Sequence, residues 1–302
     1  MSDYAGVVLE REGASYRVAT REGEVKAILR GKVKRDDPQV VVGDHVALER
    51  SGDDLWAIAK VAPRTTLLER RVPEGRGARP IVANVERVFV VTAVAEPAPI
   101  LSLLDRLLVV AEANSLAAEV VVNKIDLASP DALVARFRRI GYVVHAICVR
   151  TGDGIPALKA AVQGREIVVA GPSGAGKSSL LNALQPGLSL RIGGVSEKIG
   201  RGRNTTVGAV MVPLDGGGYL VDTPGFSEIG LWGIEPRELA SCFTEFRPFL
   251  DECKYGDCAH WKERPPDCAI ARAAAEGRIA ADRLQTYRQL LDELQTAPKE
   301  WE

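Results

Sequence analysis

Three short motifs and one cysteine-rich segment hold the residues of this 302-residue chain that are equipped for chemistry. Gly171-Pro172-Ser173-Gly174-Ala175-Gly176-Lys177-Ser178 fits G-x-x-x-x-G-K-[ST], directly after the apolar run EIVVA and before the helix-compatible SSLLNAL. Glycines let such a loop curl until its N–H groups face phosphate oxygens at a helix N-terminus. Lys177 supplies a point charge, the Ser178 hydroxyl can ligate magnesium, and Ser179 continues the cradle. Asp222-Thr223-Pro224-Gly225 closes the strand-like run YLV; Asp222 can accept hydrogen bonds from magnesium-bound water, and the backbone at Gly225 can approach a γ-phosphate. Between these motifs lies the polar segment from Gly200 to Thr206, where a threonine of the pair Thr205-Thr206 can reach metal and γ-phosphate. Thr206 is the expected second protein ligand of magnesium, with Ser178 the first.

Asn123-Lys124-Ile125-Asp126 follows the apolar run EVVV and selects the base. A carboxylate such as Asp126 can accept from guanine N1–H and from its exocyclic amine, a donor pair that adenine lacks. An adenine would leave the carboxylate unpaired, so it is penalised. The Lys124 stem can cover the base, and the Asn123 amide can tie this loop to the phosphate loop. Thr151-Gly152-Asp153-Gly154, after the run AICV, is the expected second base-facing loop. In most GTPases the phosphate loop comes first and the guanine motif last, whereas here Asn123 precedes Gly171. A doubly wound sheet tolerates that permutation, because its site depends on strand ends meeting in space. The segment bearing Asp222 and Gly225 then runs directly into the C-terminal module, which gives the nucleotide state a route to move that module.

Of five cysteines, Cys148 and Cys242 are isolated, while Cys253, Cys258 and Cys268 cluster around His260. Three thiolates and one imidazole are the complement of a closed tetrahedral zinc site, leaving no open position for catalysis. A structural metal stapling a segment with little core of its own is the expectation.

The elements that must position these groups fall into three modules. Residues 1–65 read as about five short strands (GVVLE, SYRVAT, EVKAILRG, HVALER, LWAIAKV) between turn-formers, which suits a small barrel of the oligonucleotide-binding type, though other small barrels fit as well. Residues 66–80, rich in Arg, Pro and Gly, read as a basic linker. Residues 81–230 begin with one long apolar strand, 81–94, and then alternate strand with helix, the pattern of a doubly wound α/β domain. Its ligand belongs at the carboxyl ends of the strands. Residues 231–302 are helical and cysteine-bearing; Leu284, Tyr287, Leu291 and Leu294 recur at helical spacing as core positions. A net charge of −1, 46% hydrophobic and 26% charged residues describe an ordinary globular protein. No apolar run is long enough to span a membrane and the N-terminal stretch lacks a signal-peptide pattern, so cytosolic residence is expected.

VGDHV, APRTTLLER, IVANVERVFVV, LDRLLVVAE, VVNKIDL, GPSGAGKSSLLNAL, GRGRNTTVG, VDTPGFSEIG, CKYGDCAH and CAIARAAAEGRI together resemble the RsgA/YjeQ family of circularly permuted GTPases over essentially the whole chain. The resemblance implies an N-terminal barrel, a permuted P-loop GTPase domain and a C-terminal zinc domain. It also implies a protein that assists 30S subunit maturation and hydrolyses GTP to GDP under 30S stimulation; the leading reading adds that barrel and zinc module grip 16S rRNA, and, since nothing in the sequence demands a dimer, a monomer is expected. The basic stretches RTTLLERRVPEGRGAR and RIGGVSEKIGRGR offer phosphate contacts. Two departures stand out. The family's usual His is Asn204 here, and an Asn cannot act as a base, although its amide can orient water. Phe226 occupies the place where many GTPases carry a water-orienting Gln, so slow intrinsic hydrolysis completed by a partner is expected. The segment between His260 and Cys268, WKERPPD, is longer than the family's and is expected to enlarge a surface loop. A GTP-gated rRNA-binding module with little hydrolysis, and an ATPase with a zinc-ribbon accessory, are the competing readings.

Overall fold

The computed structural model describes residues 4–29, 39–51, 55–71, 78–186, 209–222, 231 and 234–296. Strands β1 (Tyr4–Glu12), β2 (Ser15–Thr20), β3 (Gly23–Leu29), β4 (His45–Arg50) and β5 (Trp56–Val61) close a barrel in the order β1-β2-β3-β5-β4. Alternation in these strands sends Tyr16, Val18, Val46, Leu48 and Ile58 inward. Val8 faces the barrel interior, and Leu9, on the opposite face of β1, is buried in a second, larger core beside a register shift between Val8 and Glu10. Through this strand the barrel packs beside the rest of the molecule.

Within the stretch expected as a basic linker, 66–80, the described residues include two strands. Strands β6 (Leu67–Arg71) and β7 (Ala78–Ala83) pair antiparallel, with Leu68 and Val82 fully buried. Short apolar pairs, Leu67-Leu68 and Ile81-Val82, suffice for a two-stranded ribbon, and Pro80 is tolerated because such a ribbon is all edge. The long strand expected over 81–94 is correspondingly two strands: β7 ends at Ala83 and β8 runs Arg87–Ala93. Asn84, at φ +58°, makes the break. Its side-chain amide donates to Gly43 O at 2.8 Å and its oxygen accepts from Thr65 N at 2.9 Å. Beside it, the fully buried Asp44 carboxylate receives Val41 N at 2.8 Å and Arg64 through Nε and Nη2 at 2.7 and 2.8 Å. This joint locks barrel, ribbon and sheet together.

From β8 the chain alternates: α1 (Leu101–Ala113), β9 (Ala117–Asn123), α2 (Asp131–Arg139), β10 (Val143–Ala146), α3 (Ile155–Val162), β11 (Arg165–Ala170), α4 (Lys177–Leu184), then the hairpin β12 (Val210–Pro213) and β13 (Gly218–Asp222). The sheet order is β10-β9-β8-β11-β13-β12, parallel except for β12. Strands leave β8 first to one side and then to the other, so the chain reverses direction between β8 and β11. A crevice at the carboxyl ends of those two strands is the ligand position of such a sheet.

The C-terminal segment packs on the α1 and α2 side. Two 3₁₀ stretches, Leu239–Cys242 and Thr244–Glu252, precede α5 (Ala269–Ala275) and α6 (Ala281–Thr296). Phe243, Phe246 and Tyr287 form an aromatic cluster with ring centroids 4.8 to 5.4 Å apart. Leu284, Tyr287 and Leu291 are buried and Leu294 is partly so, as their spacing predicts. Arg283 is also fully buried, bound by Glu245 at 2.6 Å and by Asp105 of α1 at 3.0 Å. Arg136 of α2 reaches the same Asp105 at 3.0 Å.

Candidate functional site

The phosphate loop lies at the reversal point. Gly171 follows β11 with φ +145°, and a Cβ there would sit 2.1 Å from Val91 O of β8. Gly176, the residue before α4, has φ +93°. A Cβ on it would fall 2.3 Å from Asn123 Nδ2. No side chain fits either place, which is the physical need behind those two glycines. Pro172, Ser173, Gly174 and Ala175 complete the turn, and Lys177, Ser178 and Ser179 open the helix. The Lys177 ammonium donates to Gly171 O at 2.7 Å and Pro172 O at 2.9 Å.

Asp222 ends β13 directly opposite Val169 of β11, with its charge close enough to Lys177 at the start of α4 for the two to interact. Burial pushes the Asp222 carboxyl above its usual range, and Lys177 opposes that rise. Burial likewise lowers Lys177, against the pull of Asp222. The glycine-rich loop, Lys177 and Asp222 thus come together with Ser178 in the first turn of α4, the residue types that a magnesium-bound polyphosphate requires. Asn204, Thr205, Thr206 and Gly225, and with them Thr223, Pro224 and Phe226, lie outside the described residues.

Asn123 is the last residue of β9, one strand beyond β8 from the phosphate loop. Its amide donates to Ala175 O at 3.0 Å, and its oxygen accepts from Lys124 N at 2.8 Å and Val149 N at 3.3 Å. The residue expected to join the two loops therefore does so directly. Lys124, at φ +62°, turns the chain and its ammonium donates to Glu96 O. Asp126 meets the loop after β10: the Cys148 thiol donates to Oδ1 at 2.9 Å, and Arg150 reaches Oδ2 through Nε at 3.1 Å and Nη2 at 2.9 Å. These hydrogen bonds, Cys148's foremost, hold the Asp126 carboxyl below its ordinary value. Thr151, Gly152, Asp153 and Gly154 fold this loop into a tight turn, with Cys148 N donating to Asp153 O at 2.9 Å. Sequence reasoning placed the turn beside the base motif but missed Cys148 and Arg150. Their only signal is their position, Cys148 within the AICV run and Arg150 between that run and Thr151.

Cys253, Cys258, His260 and Cys268 form the second constellation, their ligand atoms all within 4.8 Å of one another. His260 Nδ1 lies 3.5, 3.4 and 3.5 Å from the sulfurs of Cys253, Cys258 and Cys268. A tetrahedral zinc with ordinary Zn–S and Zn–N bonds requires about 3.6 Å between those atoms, so the donor set fits a metal ion. Backbone amides support the sulfurs: Ala269 N donates to Cys253 Sγ and Ala271 N to Cys268 Sγ, each at 3.3 Å. Tyr287 Oη donates to Ala259 O at 2.7 Å, fixing the histidine's turn against α6. The long WKERPPD connection keeps Cys268 in the cluster. Within it, Glu263 accepts from Trp261 N at 2.8 Å and Lys262 N at 3.1 Å.

Phosphate loop, guanine loop and Asp222 gathered at the carboxyl ends of a doubly wound sheet, with the guanine loop earlier in the chain, define a circularly permuted P-loop GTPase. The family model described as RsgA GTPase matches residues 61–232. The small ribosomal subunit biogenesis GTPase RsgA of Gemmatimonas aurantiaca is 46% identical over 299 residues, covering 96% of this chain and 97% of the relative. That of Moorella thermoacetica is 42% identical over 292 residues, covering 96% and 97%. Among solved structures, YjeQ from Thermotoga maritima superposes with a TM-score of 0.81 at 34% identity, covering 98% of this chain and all of that one. YloQ, described as a circularly permuted GTPase, gives 0.77 at 26% identity, covering 99% and 98%. The chain belongs to the RsgA GTPase family.

Proposed function

We propose that this GTPase acts in small ribosomal subunit biogenesis, binding the 30S particle through 16S rRNA and hydrolysing GTP to GDP and phosphate when the particle stimulates it. Asp126 reads guanine, Asn123 and Lys124 shape its pocket, and residues 171–179 hold the phosphates. Ser178 and Thr206 ligate magnesium, Asp222 its water, and Gly225 follows the γ-phosphate. Asn204, Thr205 and Thr206 face the reacting phosphate. Residues 1–65 and 231–302 are the rRNA-gripping modules on either side of a GTPase domain at 81–230, and Cys253, Cys258, His260 and Cys268 carry structural zinc. The protein is a cytoplasmic monomer. Among the described residues no helix is long and apolar enough to cross a membrane.

The observation that carries this reading is the 3.0 Å hydrogen bond from Asn123 to Ala175 O, which brings a guanine motif and a phosphate loop into one site despite their permuted order. Single-turnover GTP hydrolysis, with and without purified 30S subunits, is the test. Stimulation is expected; its absence, with GTP binding intact, favours the gated rRNA-binding module instead. Asp126→Asn should lower GTP affinity on the order of 100-fold or more, the scale on which a site built for a donor pair rejects a mismatch.

A further inference from the structure

Arg150 presents to Asp126 what guanine itself would present. A guanidinium offers adjacent N–H donors in a fixed plane matched to a carboxylate, and the guanine edge carries N1–H beside its exocyclic amine. Nε and Nη2 of Arg150 both fall on Oδ2, while Cys148 occupies Oδ1 from the protein side. The Asp126 side chain is only 16% exposed, but that of Arg150 is 74% exposed. The arginine therefore covers the carboxylate from solvent, the side open to an incoming base.

We propose that Arg150 is a latch on the guanine subsite: it holds the reading carboxylate in place with Cys148, and an incoming guanine must displace it. This rests on Asp126 being the guanine-reading group. Affinity is then reduced by the fraction of molecules in which the latch is open. An ion pair this exposed favours the closed form by no more than about fivefold, so the attenuation is roughly two- to sixfold. It acts on association, because the base meets a covered carboxylate, and it weakens as salt screens the pair.

The test uses the full chain and GDP carrying a fluorophore on the ribose, so that the base edge is unaltered. Arg150→Ala should bind GDP two- to sixfold more tightly at low salt, with most of the gain in the association rate. The gain should vanish near about 0.5 M salt, where the Debye length is only a few ångströms. In an Asp126→Asn background, whose amide suits xanthine, Arg150→Ala should leave the affinity for xanthosine diphosphate unchanged. If Arg150→Ala leaves GDP affinity unchanged or weakens it while Asp126→Asn still abolishes guanine preference, the latch is refuted and the site reading survives. If Asp126→Asn keeps full guanine affinity, both fall together.

Discussion

Gly176→Ala is the sharpest probe of the joined site. Its φ of +93° is outside the range that L side chains adopt at ease, and the added methyl would lie 2.3 Å from the amide nitrogen of Asn123. A left-handed backbone costs an alanine about 1–2 kcal/mol. The overlap forces Asn123 away from Ala175 O, and a lost hydrogen bond of that kind costs about 1 kcal/mol. The loop can relax locally without unfolding the sheet, so most of the roughly 2–3 kcal/mol returns as a cost of nucleotide binding, equivalent to about 30- to 150-fold in affinity. Fluorescent-GDP titration reads it directly. A second substitution separates the two contributions: with Asn123→Ala already present, Gly176→Ala should cost only the backbone share. Wild-type affinity within twofold in the single variant, or an undiminished cost in the double-variant background, would refute the argument that these two motifs are one packed unit.

Arg283→Met should destabilise the protein by about 3–5 kcal/mol in urea unfolding, because it leaves the buried Asp105 and Glu245 without their shared cation. Burial already raises the Asp105 carboxyl, and Arg283 is the main group opposing it, so the variant raises it further. A carboxyl whose folded pKa exceeds its unfolded value binds more protons when folded, so the deficit should shrink as pH falls from neutrality toward 4. A pH-independent deficit would show that Asp105 is not the responsible group. At the metal centre, mass spectrometry of the native protein should find one zinc per chain, and Cys258→Ser should lose it. Loss of metal should lower the melting temperature without removing GDP binding, since the four ligands belong to the C-terminal segment; retained zinc in that variant would exclude Cys258 as a ligand.

Strand β6 and the start of β7 form in a stretch where the sequence pattern carries no strand signal. Arg, Pro and Gly dominate the stretch, and strand pairing there depends on Leu68 and Val82 meeting a core assembled from other parts of the chain. The same core buries Leu9 on the outer face of β1. Neither burial has a periodic signature, because each depends on a surface that exists only after folding. By contrast, the five barrel strands, the βα alternation and the C-terminal helices were legible, each imposing its own period on the residues that compose it.

What the sequence alone determined was the chemistry available: a phosphate loop, an N-K-x-D motif with its Asp126 carboxylate, Asp222 and three thiolates with an imidazole, all readable because short-range spacing dictates which backbone turn or donor set can form. Only the tertiary structure decided which of these groups meet, and what else meets them. Asn123 touches Ala175, Arg150 and Cys148 hold Asp126, Asp44 binds Arg64, and Arg283 joins Asp105 to Glu245. Each of these contacts unites separate elements of the chain. Its geometry is set by sheet order and packing, which no local spacing encodes.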